Sequence, residues 1–115
     1  MADETLIVNE LAESGATVLE LKGRLEVATI ALAQDKFADA VASGPPIVLD
    51  LAKLAHLSSA GLRLILKTMK QAQASRQPFV ISGARGPVKE VLDSIGLRQF
   101  CPFARSRAEA IAKLN

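Results

Sequence analysis

The sequence predicts one α/β domain over residues 1–115, with a mixed sheet of about four to five strands (an N-terminal hairpin, then parallel pairs) and about four helices. Three observations carry this. Two β-like runs flank a short Gly-containing turn near the start. After them, short apolar runs alternate with segments of helical period. The length of 115 residues, half of them apolar, supplies a core for one domain.

The elements follow in order. Leu6 to Val8 opens a β-like run, and Glu13-Ser14-Gly15 reads as a turn. Thr17 to Lys22 then alternates, with Leu19 and Leu21 on one side and Glu20 and Lys22 on the other; Gly23 ends that strand. From Ala28 to Ser43 the period becomes helical, with Ala33, Phe37, Ala40 and Val41 on one face. Gly44-Pro45-Pro46 stops the helix. Ile47 to Leu51 is nearly all apolar, as expected of a strand covered on both faces.

Ala52 to Leu57 reads as a loop. Leu62, Ile65, Leu66 and Met69 then mark an amphipathic helix running to about Ser75. Phe79 to Ile81 is another short strand, broken by Ser82-Gly83. Pro87 suits a first helical turn, Val88, Val91, Leu92 and Ile95 continue it, and Gly96 closes it. Cys101 to Phe103 reads as a last short strand. Ser106 and Glu109 form a capping box that starts a final helix through Ile111 and Leu114.

Composition excludes several functions. The 14 basic and 12 acidic residues leave a formal charge of +2, and the cations are scattered, which argues against a nucleic-acid partner. Four Phe with no Tyr or Trp give no stacking platform. A lone cysteine, Cys101, rules out an internal disulfide and leaves a zinc site short of thiols; it reads as packing. No run of about 18 apolar residues exists, so no membrane insertion is expected. The acidic start, Met-Ala-Asp-Glu-Thr, lacks the pattern of a secretory signal, and the cysteine usage suits the cytoplasm.

The informative segment is His56-Leu57-Ser58-Ser59-Ala60-Gly61-Leu62-Arg63. Two hydroxyls sit where a buried strand gives way to an amphipathic helix, beyond the carboxyl end of a parallel strand, where such sheets meet ligands. One reading is plain N-capping of the helix's free N–H groups. The other is a phosphorylation switch, because a helix N-terminus accepts a phosphate readily while the surface gains about −1.5 to −2 charges. Ala60 and Gly61 fit either a first turn kept open to another protein or a tight helix–sheet contact. Asp50, His56 and Ser59 could be imagined as a hydrolytic triad. The sequence lacks Gly-x-Ser-x-Gly, however, and shows no second loop for an oxyanion hole. Gly83-Ala84-Arg85-Gly86 lacks the Gly-Lys-Ser/Thr ending of a phosphate loop. No catalytic residue, metal or cofactor is therefore expected. Arg24, Glu26 and Arg63 flank the motif or its neighbouring loop as candidate partner contacts.

The segment Ile47-Val48-Leu49-Asp50-Leu51 followed by Leu57-Ser58-Ser59-Ala60-Gly61-Leu62 resembles the signature of the STAS domain family, typified by bacterial anti-sigma-factor antagonists. Leu21-Lys22-Gly23-Arg24-Leu25-Glu26 is similar to the family's turn after the second strand. Pro87 to Leu97 resembles its late helix ending in Gly-Leu. The resemblance covers nearly the whole chain and implies the STAS fold. It also implies a protein that binds an anti-sigma factor that is itself a serine kinase, and so frees a sigma factor. The kinase then phosphorylates a serine at the helix start, and a serine phosphatase resets it. Aligned on Gly61, the acceptor falls on Ser59, with Ser58 the second choice. Ser58 stands where the family usually has Asp. The implied partner surface is Arg24, Glu26, His56, Leu57, Ser58, Ser59, Ala60, Gly61 and Arg63. The alternative within the family is an unphosphorylated adaptor, as a subunit of a lipid-transport ABC complex or a stressosome-like scaffold.

Overall fold

In the computed structural model, residues 5–114 are described. The chain runs β1 (Leu6–Glu13), β2 (Ala16–Leu25), α1 (Ile30–Ser43), β3 (Ile47–Leu57), α2 (Ser59–Ala74), β4 (Phe79–Ser82), α3 (Gly86–Ser94), a 3-10 turn (Leu97–Gln99), β5 (Phe103–Ala104) and α4 (Arg107–Leu114). The five strands lie side by side in chain order. β1 is antiparallel to β2, and every later neighbour is parallel. This is the mixed sheet that the hairpin and the alternating elements predict.

Side-chain alternation divides the sheet into two unequal faces. Leu19, Leu21, Leu49, Leu51 and Ile81 join Phe37 of α1, Ile65 of α2 and Leu92 of α3 in the main core. Val18, Val48 and Val80 face the other way and are covered by Ala110 of α4, with Ile111 and Leu114 packed beside it. Three helices therefore cover one face, and one short helix covers part of the other. Cys101 is buried in the main core, as packing requires, and burial pushes its thiol up to about 11. No helix among the described residues is long and apolar enough to cross a membrane.

Four boundary differences are the largest, beside a last strand at Phe103–Ala104 in place of Cys101 to Phe103. β1 runs on to Glu13, and a two-residue turn at Ser14 and Gly15, both at positive φ, closes the hairpin on the pair Glu13 and Ala16. Gly23 does not end β2. It continues the strand at φ +114, where a side chain would strike the Thr5 carbonyl oxygen. α1 begins at Ile30, two residues later than its periodicity suggests, because Thr29 is tied into the preceding turn.

The fourth difference positions the site. Residues 52–57 are not a loop but the second half of β3, which outruns β4 and pairs with β2 alone. Between the pairs Glu20–Asp50 and Arg24–His56, β3 carries two more residues than β2, taken up in two register shifts. Leu51, Leu54 and Leu57 are the buried residues there, so burial recurs every third position. A strand with that spacing does not show the period of two.

Candidate functional site

β2 and β3 end side by side, with Leu25 paired to Leu57 and Arg24 to His56. From Leu57 the chain enters α2 through one extended residue, Ser58, at φ −89 and ψ 171. The Ser58 N–H donates to the Leu25 carbonyl at 3.0 Å, and its hydroxyl oxygen accepts from the Gly61 N–H at 3.2 Å. The same hydroxyl donates to the Leu25 carbonyl at 3.4 Å. Ser58 is thus an N-cap that also ties α2 to the end of β2.

Gly61 sits where the first turn of α2 presses on that junction. A Cβ there would stand 2.7 Å from the Leu25 carbonyl oxygen and 2.8 Å from Leu57 Cδ1. Only glycine fits without displacing backbone. Gly61 and Leu57 are buried. Of the two readings of Gly61, the tight helix–sheet contact is the one present. Both residues lie beneath the exposed Ser59, packing α2 onto the strand ends.

Ser59 differs from its neighbour. It is the first residue of α2, its side chain is exposed, and no group among the described residues bonds its hydroxyl. Ala60 is half-buried and Arg63, one turn on, is exposed. The chain therefore assigns one serine to the cap and leaves the other on the surface.

The turn after β2 completes the site. Thr29, itself buried, donates its hydroxyl to the Arg24 carbonyl at 2.6 Å and accepts from the Glu26 N–H at 3.1 Å. Glu26 accepts from Arg24 at 3.3 and 3.4 Å, and its Oε1 lies 3.6 Å from His56 Nε2. Arg24, Glu26 and His56 thus form a polar row beside the start of α2, held by a turn that contains its own backbone bonds. His56 belongs to β3 and not to a loop, and it is partly exposed. Val27, which the motif reading passed over, is 77% exposed in this turn. An apolar residue between a strand end and a helix cap was its only signal.

The imagined triad does not assemble. Asp50 accepts from the Ala52 N–H at 3.0 Å and from Arg107 Nε at 3.0 Å, on the sheet face under α4. His56 meets Glu26, and Ser59 meets neither. Arg107 also bonds Glu13 at 3.0 Å and Glu20, so one guanidinium joins β1, β2 and β3. What remains at the site is one exposed hydroxyl at a helix N-terminus, beside the Arg24, Glu26 and His56 side chains.

Comparison with known proteins fits this geometry. Residues 9–110 match the model of the STAS domain. A Bordetella bronchiseptica protein assigned as an anti-sigma factor antagonist, BtrV, is 38% identical over 66 residues. That match spans 57% of this chain and 57% of the relative, little more than half of either. An anti-sigma factor antagonist from Mycobacterium paratuberculosis superposes with a TM-score of 0.84 at 22% identity, covering 97% of this chain and 96% of that one. A STAS domain protein from Planctomyces limnophilus gives 0.80 at 17% identity, covering 94% and 97%. At such identities the two structures establish likeness of fold.

Proposed function

The chain belongs to the STAS domain family, and from that premise we propose that it is an anti-sigma-factor antagonist working by binding and not by catalysis. Its partner is an anti-sigma factor that is also a serine kinase. Capture of that partner through the surface around Ser59 releases a sigma factor in the cytoplasm. Phosphorylation of Ser59 ends the complex, and a serine phosphatase restores it. Neither nucleic acid nor membrane insertion has a part.

One observation carries this reading: the Ser59 hydroxyl stands exposed and unbonded at the first position of α2, while Ser58 takes the capping role. A phosphate there meets the unpaired N–H groups and positive end of a helix at little structural cost. It also places about −1.5 to −2 charges in the middle of a surface that must pack against another protein. Ser58 in place of the family's usual Asp does not weaken the cap, since Ser and Asp are comparable N-caps.

Incubation with the serine-kinase anti-sigma factors of the source organism and ATP, followed by phosphopeptide mapping, tests the proposal. Phosphate on Ser59, abolished in Ser59→Ala and kept in Ser58→Ala, is the expected result. Label that survives in Ser59→Ala contradicts the assignment. No label with any kinase, together with co-purification of transporter ATPase subunits, replaces it with the adaptor role.

A further inference from the structure

α2 spans 16 residues and contains Arg63, Lys67 and Lys70 but no Asp or Glu. All three cations are exposed, and none makes an ion pair with any described residue. Elsewhere Arg24, Lys53, Lys89, Arg98 and Arg107 are matched to a carboxylate, while Lys22, Lys36, Arg76, Arg85, Arg105 and Lys113 make no ion pair among the described residues either; α2 differs in carrying three such cations on one helix with no carboxylate of its own. Arg63, Lys67 and Lys70 are also in line. Counted from Ser59 they stand at i+4, i+8 and i+11, which at about 100° per residue keeps them within about 80° of Ser59 around the helix. Ser59 therefore heads a basic stripe about 16 Å long. Asp35 and Asp39 of neighbouring α1 are exposed but form no ion pair with the stripe.

Resting on the function proposed above, we infer that the exposed face of α2 is a second contact for the same partner, and that the partner lays an acidic surface along it. Charge complementarity selects this occupant. A protein that covers Ser59 and continues along α2 meets three cations, and matching carboxylates attract where neutral or basic groups would not. The arrangement also explains how a single phosphate ends the complex. The dianion arrives one turn before Arg63, in the favourable order of anion N-terminal to cation at i, i+4. It engages Arg63 internally and faces the partner's carboxylates with like charge. The face changes from about +3 to about +1 in one step.

The test measures affinity for the serine-kinase anti-sigma factor that labels Ser59, using the unphosphorylated chain. It compares wild type, Lys67→Glu/Lys70→Glu, and Lys22→Glu/Lys113→Glu, which changes net charge equally on other faces. The stripe variant is expected to bind about tenfold or more weakly and to lose most of the salt dependence between about 50 and about 300 mM. The control is expected to stay within about twofold. Equal losses in both variants, or none in either, overturn the inference while leaving the phosphorylation reading intact. Tight binding of the wild type to anionic phospholipid vesicles, lost in the stripe variant while kinase binding is kept, overturns it too. Absence of any labelling kinase overturns both together.

Discussion

At the scale of single residues, the site depends on two adjacent serines with different duties. The Ser58 hydroxyl holds two hydrogen bonds and its N–H a third at the junction of β2, β3 and α2, whereas the Ser59 hydroxyl holds none. Ser58→Ala should therefore cost about 1 kcal/mol of stability in urea unfolding, and Ser59→Ala less than about 0.5 kcal/mol. Sequence alone left the pair open, because either serine suits a helix start; only the bond from the Gly61 N–H to Ser58 separates them. Gly61 has the opposite character. Gly61→Ala places a methyl against the Leu25 carbonyl and should destabilise by about 1–3 kcal/mol, read by the same unfolding experiment. Cys101 was legible as a packing residue. With its thiol raised to about 11, it should resist iodoacetamide at neutral pH in the folded chain and react once urea unfolds it.

At the scale of elements, the second half of β3 and the anchoring of α4 escaped sequence reading for different reasons. Residues 52–57 bury every third side chain because β3 accommodates two extra residues, so no strand pattern shows. The N-terminus of α4 was legible as a capping box, and Ser106 Oγ does accept from the Glu109 N–H. Glu109 reaches back to the Arg105 N–H, one residue earlier than the simple motif places it. Nothing local announced that Arg107 would bond Glu13, Glu20 and Asp50 from far along the chain. Arg107→Met strands the Asp50 carboxylate and should cost about 2 kcal/mol, less than a fully buried pair because Arg107 is partly exposed. The same cluster sets an acid limit. Glu20 is held below its ordinary value of 4.5, chiefly by the Asn9 amide and then by Lys53 and Arg107. A depressed carboxylate gives its stabilisation fully above 4.5 and loses it as pH falls through the lower folded value. Thermal melts should therefore fall on acidification below about pH 4.5, and more gently in Arg107→Met.

At the scale of the whole molecule, three helices pack on one face of the sheet and one on the other, and β2, β3 and α2 meet in one packed platform. Element order, hairpin and parallel pairs were legible because apolar period and turn residues are local. The platform was legible only as a motif, since the Arg24–Glu26–His56 row forms through register between two strands. A phosphorylation switch here requires that the platform take a dianion at Ser59 without rearranging what lies below. Incorporation of phosphoserine at position 59 during synthesis, followed by backbone amide NMR and a thermal melt, tests it most directly. Shifts confined to the first turn of α2 and the Arg24–Thr29 turn are expected, with an unchanged melting temperature. Shifts spreading through the Leu19, Leu49 and Ile65 core, or a melting temperature lowered by about 4–8 °C, the effect of about 1 kcal/mol, would contradict it.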